Sequence, residues 1–258
     1  MGDTWLTTGV SGFFKLPQDP DAIPQYFFLM AGSGITPGYS LIKTLLATTK
    51  TRIVLVYSNR SERDAIFLKQ LRDLSEKHAD RFKLHLLFST SKDLVYSRMS
   101  NFRLIQIVEQ YLEVNREDAL FYVCGPLTYM QMVIISLIAD GVPKENIRTE
   151  SFDSTPRKFK NPPPAFTQAN VTIEIGGETF HFNVHPPDTI LAAAKRNHIQ
   201  MPYSCDTGRC GSCAARCVSG NVWMSYNEVL SEAELTKGMI LTCTGYPAND
   251  NDIRLRFD

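Results

Sequence analysis

The sequence predicts an α/β chain, with a doubly wound parallel sheet followed by a smaller α+β unit. Three observations carry this. Up to residue 152, short apolar runs alternate with segments of helical periodicity, the repeated strand–helix order that builds a parallel sheet. Residues 153–170, DSTPRKFKNPPPAFTQAN, are polar and hold three consecutive prolines, the composition of a semi-extended linker. Beyond them, two alternating runs flank a Gly-Gly pair, the mark of a β-hairpin.

In chain order, Tyr26–Met30 (YFFLM) is a buried strand, AGSGITP a turn, and a helix runs from about Tyr39 to Thr48. RIVLVY (52–57) is β-branched and apolar, a central strand. Ser61 to His78 reads as an amphipathic helix, with Ala65, Leu68, Leu71 and Leu74 on one face. FKLHLLF (82–88) is a strand, Leu104–Leu112 a helix, LFYVC (120–124) a strand, Leu127–Ala139 a helix, and Ile147–Phe152 closes the sheet. After the linker, VTIEI (171–175) and TFHFNV (179–184) form the hairpin. Asp188 can cap a helix through LAAAKRN. Ala214–Trp223 is a strand, Ser231 and Glu234 stand in capping-box positions, and IRLRF (253–257) is a terminal strand.

The 258 residues exceed one average domain, and 43% hydrophobic with 21% charged residues suits a soluble globular protein. Lys plus Arg and Asp plus Glu are 27 each, with no basic stripe, so a nucleic-acid binder is not expected. Residues 1–168 carry a net +3 and residues 169–258 a net −3, an asymmetry that could steer the second half toward a basic partner. There is no transmembrane run and the N-terminus lacks the build of a signal peptide. The expected location is cytoplasmic, where disulfides are rare, so the six cysteines point first to metal.

YSCDTGRCGSCAARC (203–217) holds four of the six. Cys205, Cys210 and Cys213 follow C-x4-C-x2-C, and 29 residues separate Cys213 from Cys243. This is the plant-type [2Fe-2S] spacing. Two iron atoms each need two thiolates, and a short loop with glycines can present three while a remote strand end supplies the fourth. Gly208 and Gly211 would allow positive φ and a close approach. A zinc site would also use four cysteines, but usually as two C-x2-C knuckles. Cys217 lies outside the pattern and reads as a small buried hydrophobe. On CDTGRCGSC and LTCTGYP, residues 171–258 resemble a plant-type ferredoxin. The resemblance implies a β-grasp fold, with Cys205, Cys210, Cys213 and Cys243 as ligands and Thr207, Gly208 and Ser212 against the cluster.

AGSGITP (31–37) is a Gly-x-Gly turn between strand and helix. Gly32 and Gly34 permit close backbone approach, and the helix N-terminus favours a pyrophosphate. The full G-x-G-x-x-G fingerprint is absent. Taken with YSNRSERD (57–64) and CGP (124–126), in this order, residues 24–152 resemble the nucleotide domain of the ferredoxin-NADP reductase superfamily. The resemblance implies that Gly32, Ser33, Gly34 and Ile35 hold the pyrophosphate, with Thr36 and Pro37 near the nicotinamide. Cys124 would stand beside the ring as the catalytic residue, flanked by Gly125 and Pro126. The segment Ser58, Asn59, Arg60 and Arg63 would read the adenosine ribose. No acid stands at that strand end before Glu62, and hydroxyls with a cation favour NADP over NAD.

A nicotinamide gives two electrons as hydride and a [2Fe-2S] cluster takes one, so a flavin is expected between them. The family's flavin-barrel signature R-x-Y-S is not found at Tyr57, Tyr96 or Tyr203. Residues 2–16 resemble the last strand and exit of that barrel, so residues 1–23 are read as its remnant and FAD as belonging to the intact protein only. A flavin carried by a separate protein is the alternative. The order of nucleotide domain then ferredoxin is similar to oxygenase reductase components of the phenylacetyl-CoA epoxidase and phthalate dioxygenase type, and to fatty-acid desaturase reductases. The resemblance implies electron transfer from NADPH through FAD and the cluster to a terminal oxygenase or desaturase. Glu150 and Phe152 would approach the flavin. A ferredoxin-type carrier or binding module with a non-catalytic front half is the other reading.

Overall fold

Seven consecutive buried residues, Gln25–Ala31, form β1, the central strand of a five-stranded parallel sheet. The computed structural model of the chain describes residues 12–92, 97–152 and 162–257. These divide into one unit from Phe14 to residue 152, and a second made of Gly12–Phe13 with residues 162–257.

In the first unit the elements run β1, α1 (Ile35–Thr48), β2 (Arg52–Asn59), α2 (Leu68–Lys77), β3 (Phe82–Phe88), α3 (Asn101–Tyr111), β4 (Ala119–Cys124), α4 (Leu127–Ala139) and β5 (Ile147–Glu150). Strand order is β3-β2-β1-β4-β5, every pair parallel. Both faces are covered, which is why β1 and β4 read as unbroken apolar runs. Phe27, Leu29, Val56 and Phe121 pack against Leu104 and Ile107 of α3 and Val133 and Leu137 of α4. Their alternating neighbours Tyr26, Phe28, Leu55 and Tyr122 pack with Ile42 and Leu45 of α1 and Leu71 of α2. Phe27 stacks on Phe121 and Phe28 on Tyr122, both at 5.0 Å.

Four expectations are corrected here. Helix α1 starts at Ile35, not near Tyr39, because Pro37 falls in its first turn, where no N–H is needed. The 61–78 segment is not one helix: Glu62–Asp64 is a short 3-10 turn, Ala65 is extended, Phe67 is left-handed at φ 59°, and α2 begins at Leu68. The Ile66 N–H instead donates to the Tyr57 hydroxyl at 3.1 Å. β5 stops at Glu150, and Phe152 is 56% exposed. The boundary expected between residues 23 and 24 falls inside this unit, since Phe14 packs edge-on to Tyr122 and the Tyr122 hydroxyl donates to the Lys15 carbonyl. Most of the 2–16 stretch and residues 153–161 of the linker lie outside the described residues.

The second unit begins with β6 (Ala169–Ile175) and β7 (Glu178–Val184), antiparallel around Gly176 and Gly177, both at positive φ. Then follow α5 (Ile190–Arg196), β8 (Ala214–Ser219), β9 (Val222–Met224), α6 (Glu232–Thr236), β10 (Met239–Leu241), β11 (Gly245–Pro247) and β12 (Ile253–Arg256). The mixed sheet has the order β10-β8-β12-β6-β7, with β12 parallel to β6, and β11 pairs with β9. Val171, Ile173 and Val184 pack with Ile190, Leu191 and Ala194 of α5, so a sheet curls on one helix as a β-grasp does.

The capping box of Ser231 and Glu234 forms as expected. Two details differ. The cap of α5 is Thr189, whose hydroxyl accepts from the Ala192 N–H, while Asp188 pairs with Arg196. The 214–223 strand is two strands, broken at Gly220 (φ 87°), where a Cβ would lie 2.5 Å from the Asp252 carbonyl oxygen.

Candidate cluster and nucleotide sites

The chain leaves β1 toward β2 and later enters β4 on the other side of β1. Between these two strands the winding reverses, and the crevice at their C-terminal ends is where such sheets bind ligands. A cavity of about 760 Å³ opens at that edge, lined among others by Gly32, Ser58, Asn59, Arg60, Pro126 and Tyr129. Its volume suits a large organic ligand. Ser58 Oγ lies by the Tyr129 hydroxyl and Asn59 by the Tyr57 hydroxyl, but Ser58 Oγ, Asn59 Nδ2 and the Tyr129 hydroxyl are buried without a hydrogen bond of ordinary geometry among the described residues. Buried polar groups are normally well paired, so three weakly satisfied groups on one cavity wall fit a polar ligand there.

The two glycines of the turn do different work. Gly32 has φ +55°, a left-handed conformation that glycine adopts freely. Gly34 has φ −59° and needs no such freedom. A Cβ on it would stand 2.3 Å from the Cys124 carbonyl oxygen, so its missing side chain lets α1 start against the end of β4. The Tyr57 hydroxyl donates to the Gly32 carbonyl at 3.1 Å and accepts from Ile66, tying the turn to the 62–67 segment.

Cys124 is fully buried at the end of β4 and pairs in register with Glu150. Burial, with the Glu150 charge added, pushes its thiol up to about 12. Both effects favour the neutral thiol over the more nucleophilic thiolate. Gly125 packs under Ala31 and Tyr129, where a Cβ would lie 2.8 Å and 3.0 Å from their side-chain atoms.

Of the residues expected from sequence, Gly32, Ser58, Asn59, Arg60 and Pro126 line the cavity. Ser33 and Thr36 are exposed at the start of α1, where the Thr36 hydroxyl donates to the Ser33 carbonyl; Pro37 lies in the same turn. Ile35 is a core residue, fully buried among Ile42 and Leu45, so only its backbone can meet a ligand. Arg63 sits in the 62–64 turn outside the cavity lining, while its neighbour Asp64 is in it, bonded to the Ser61 hydroxyl. The sequence reading missed Ser89, Ser97, Arg98 and Met99, which line the cavity from beyond β3. The rule that ligands meet the C-terminal ends of parallel strands could have found them, because β3 ends on that edge.

In the second unit Cys205, Cys210, Cys213 and Cys243 are all buried. The loop takes positive φ at Asp206, Gly208 and Gly211, as expected for the two glycines and not expected for Asp206. These conformations turn N–H groups inward: Thr207 and Arg209 donate to Cys205 Sγ at 3.5 and 3.4 Å. A Cβ on Gly208 would lie 2.9 Å from the Tyr226 carbonyl oxygen, and one on Gly211 would fall within the Phe13 ring.

The thiols come as two pairs. Cys213 Sγ and Cys243 Sγ are 3.1 Å apart. Cys205 and Cys210 share a hydrogen bond that lowers the Cys205 thiol and raises the Cys210 thiol, and the Thr207 and Arg209 N–H groups add to the lowering at Cys205. Two thiols for each of two irons match a [2Fe-2S] cluster. The described residues bring no three Cys, His, Asp or Glu groups around a single ion. Cys217 is only partly buried, with its Sγ near the Ser219 and Gly220 carbonyls, because it sits near the end of β8 where the strand meets solvent.

Comparison with known proteins agrees with this division. Residues 28–134 match the oxidoreductase NAD-binding domain, and residues 173–248 match the 2Fe-2S iron-sulfur cluster binding domain. The chain is 32% identical to the 3-ketosteroid-9-alpha-monooxygenase ferredoxin reductase component of Rhodococcus rhodochrous, covering 90% of this chain and 66% of that one. The component of the same name from Mycolicibacterium smegmatis is 30% identical, over 93% of this chain and 67% of its own length. A component of the 1,2-phenylacetyl-CoA epoxidase of Escherichia coli is 29% identical, over 96% of this chain and 70% of its own length. The chain thus spans about two thirds of the length of these relatives. A solved type IV self-sufficient cytochrome P450 monooxygenase shares the fold at TM-score 0.59 and 22% identity, over 94% of this chain and 28% of that one.

Proposed function

Because the chain belongs to the family of oxygenase reductase components that join an NAD-binding domain to a 2Fe-2S domain, we propose that it serves in electron transfer from NADPH to a terminal oxygenase or desaturase. When bound, the cluster supplies a one-electron store; the exchange between a hydride pair and single electrons would fall to the FAD expected in the intact protein. The cysteine loop carries this reading: four buried thiols in two pairs, with inward N–H donors.

The chain's own residues have separate tasks. The N-terminus of α1, set against the end of β4 by Gly34, offers a positive dipole end to a pyrophosphate. Buried Cys124 gives the nicotinamide a neutral, water-excluding neighbour at the end of β4. Arg60 and Arg98 bring two guanidinium groups to the cavity, and guanidinium suits a 2′-phosphate where a carboxylate would suit a 2′-hydroxyl. The carboxylate on that wall, Asp64, is engaged by Ser61. These features support NADPH over NADH. Thiolates of Cys205 and Cys210 would hold one iron, and those of Cys213 and Cys243 the other.

Anaerobic purification followed by iron and acid-labile sulfide analysis tests the reading. Brown protein with two irons and two sulfides per chain is the expected result. Colourless protein without iron, or zinc without sulfide, overturns it. Titration with NADPH and NADH tests the first unit, where NADPH should bind more tightly.

A further inference from the structure

The cysteine loop carries an arginine whose side chain is buried and whose backbone N–H meets a cysteine sulfur. Arg209 stands between Cys205 and Cys210 in sequence, and its side chain is 3% exposed. Its N–H donates to Cys205 Sγ at 3.4 Å. Its side chain meets Glu228, with Nε and Oε2 at 3.5 Å, and Glu228 is 29% exposed. Glu228 Oε2 also accepts from the Tyr226 hydroxyl at 2.7 Å. The Glu228 segment is bound to the thiol framework at both ends. The Glu228 N–H donates to the Gly208 carbonyl at 3.1 Å, and the Thr244 hydroxyl, next to Cys243, donates to the Tyr226 carbonyl at 2.7 Å.

A charge in this position acts on a neighbouring electron more strongly than one in water, because little solvent screens it. A second ion pair at the loop offers a contrast. Lys195 and Asp206 approach to 2.7 Å, but their side chains are 36% and 48% exposed, so solvent and salt weaken their field. Reduction adds a negative charge to a cluster ligated by four thiolates. A buried cation favours that step and a carboxylate opposes it.

We propose that Arg209 and Glu228 form a charge pair that sets the cluster's reduction potential, the guanidinium raising it and the carboxylate restraining it. This rests on the reading of the four cysteines as cluster ligands. A merely structural clamp would act differently, since loosening the loop from either side would disturb the same N–H donors and move the potential the same way.

The test is a mediated anaerobic dithionite titration of the full chain, followed by visible absorbance and electron paramagnetic resonance. Arg209→Gln should lower the midpoint potential and Glu228→Gln should raise it, each by about 59 mV, a tenfold change in a one-electron equilibrium. Asp206→Asn should move it less than Glu228→Gln. Should Arg209→Gln lose its cluster, Arg209→Lys and Glu228→Gln decide the matter: the first should stay near the parent value while the second rises. Potentials that move in the same direction, or do not move, overturn the charge pair and leave the cluster reading intact. Unaltered protein that holds no iron overturns both.

Discussion

Gly34 lies so close to the Cys124 carbonyl that a methyl group in place of its α-hydrogen would stand 2.3 Å from the oxygen. The neighbour is backbone at the end of a central strand, so it cannot swing aside as a long side chain could. The glycine at the start of one helix therefore sets the distance between β4 and the turn that would receive a pyrophosphate.

Gly34→Ala should push α1 away from β4. Overpacking of this kind costs about 1–3 kcal/mol. Thermal or denaturant melts should show that loss, and NADPH titration should show weakened binding. Wild-type affinity in the variant would mean the close approach has no part in binding.

Cys124 should resist alkylation in the folded protein. Its thiol, held near 12 against an ordinary 9.0 by burial and then by Glu150, is almost wholly protonated at about pH 8. Iodoacetamide labelling followed by mass spectrometry should modify it only after unfolding. Because the folded state keeps this proton after the unfolded state has lost it, its contribution to stability is complete below about pH 9 and is lost as the pH climbs toward about 12. Rapid labelling of the folded chain would contradict the burial.

Cys243→Ser should lose the cluster or weaken it severely, since one iron is left with a single protein thiolate. Visible absorbance and iron content after anaerobic preparation measure this. An unchanged spectrum would remove Cys243 from the ligand set.

Arg60→Ala should weaken NADPH at least about tenfold, or about 1.4 kcal/mol, and NADH much less. Parallel titrations of both nucleotides decide it. Equal losses would mean that Arg60 does not meet the 2′-phosphate.

Removal of the Tyr57 hydroxyl in Tyr57→Phe should leave the Ile66 N–H without its acceptor. The expected cost is about 1–3 kcal/mol if that group stays dry, with weaker nucleotide binding as the 62–67 segment loosens from Gly32. A melt together with an NADPH titration checks both effects.

Much of the architecture was legible from local pattern. β3 and α4 fall where apolar runs and helical spacing put them, and β1 and β4, buried along their whole length, read as unbroken apolar runs because both faces of the sheet are covered there. The 61–78 segment shows the limit. Its leucines repeat at helical spacing, yet a distant tyrosine hydroxyl captures the Ile66 N–H and the helix starts seven residues late. The cap of α5 shows another. Asp188 and Thr189 are both good caps, and Arg196 at the far end of the helix draws Asp188 away.

By itself the sequence determined what a short spacing can encode: the four thiols, the Gly-x-Gly turn, the order of the two units, and the family they resemble. Covalent connection along a loop carries that information, so no folded partner is needed to read it. The tertiary structure alone decided which groups meet across long separations. It brought Arg98 to the same cavity as Arg60, set Glu228 against Arg209, and placed Gly34 under Cys124. Such contacts depend on how sheets and loops pack in space, and no local run of residues records the distance between them.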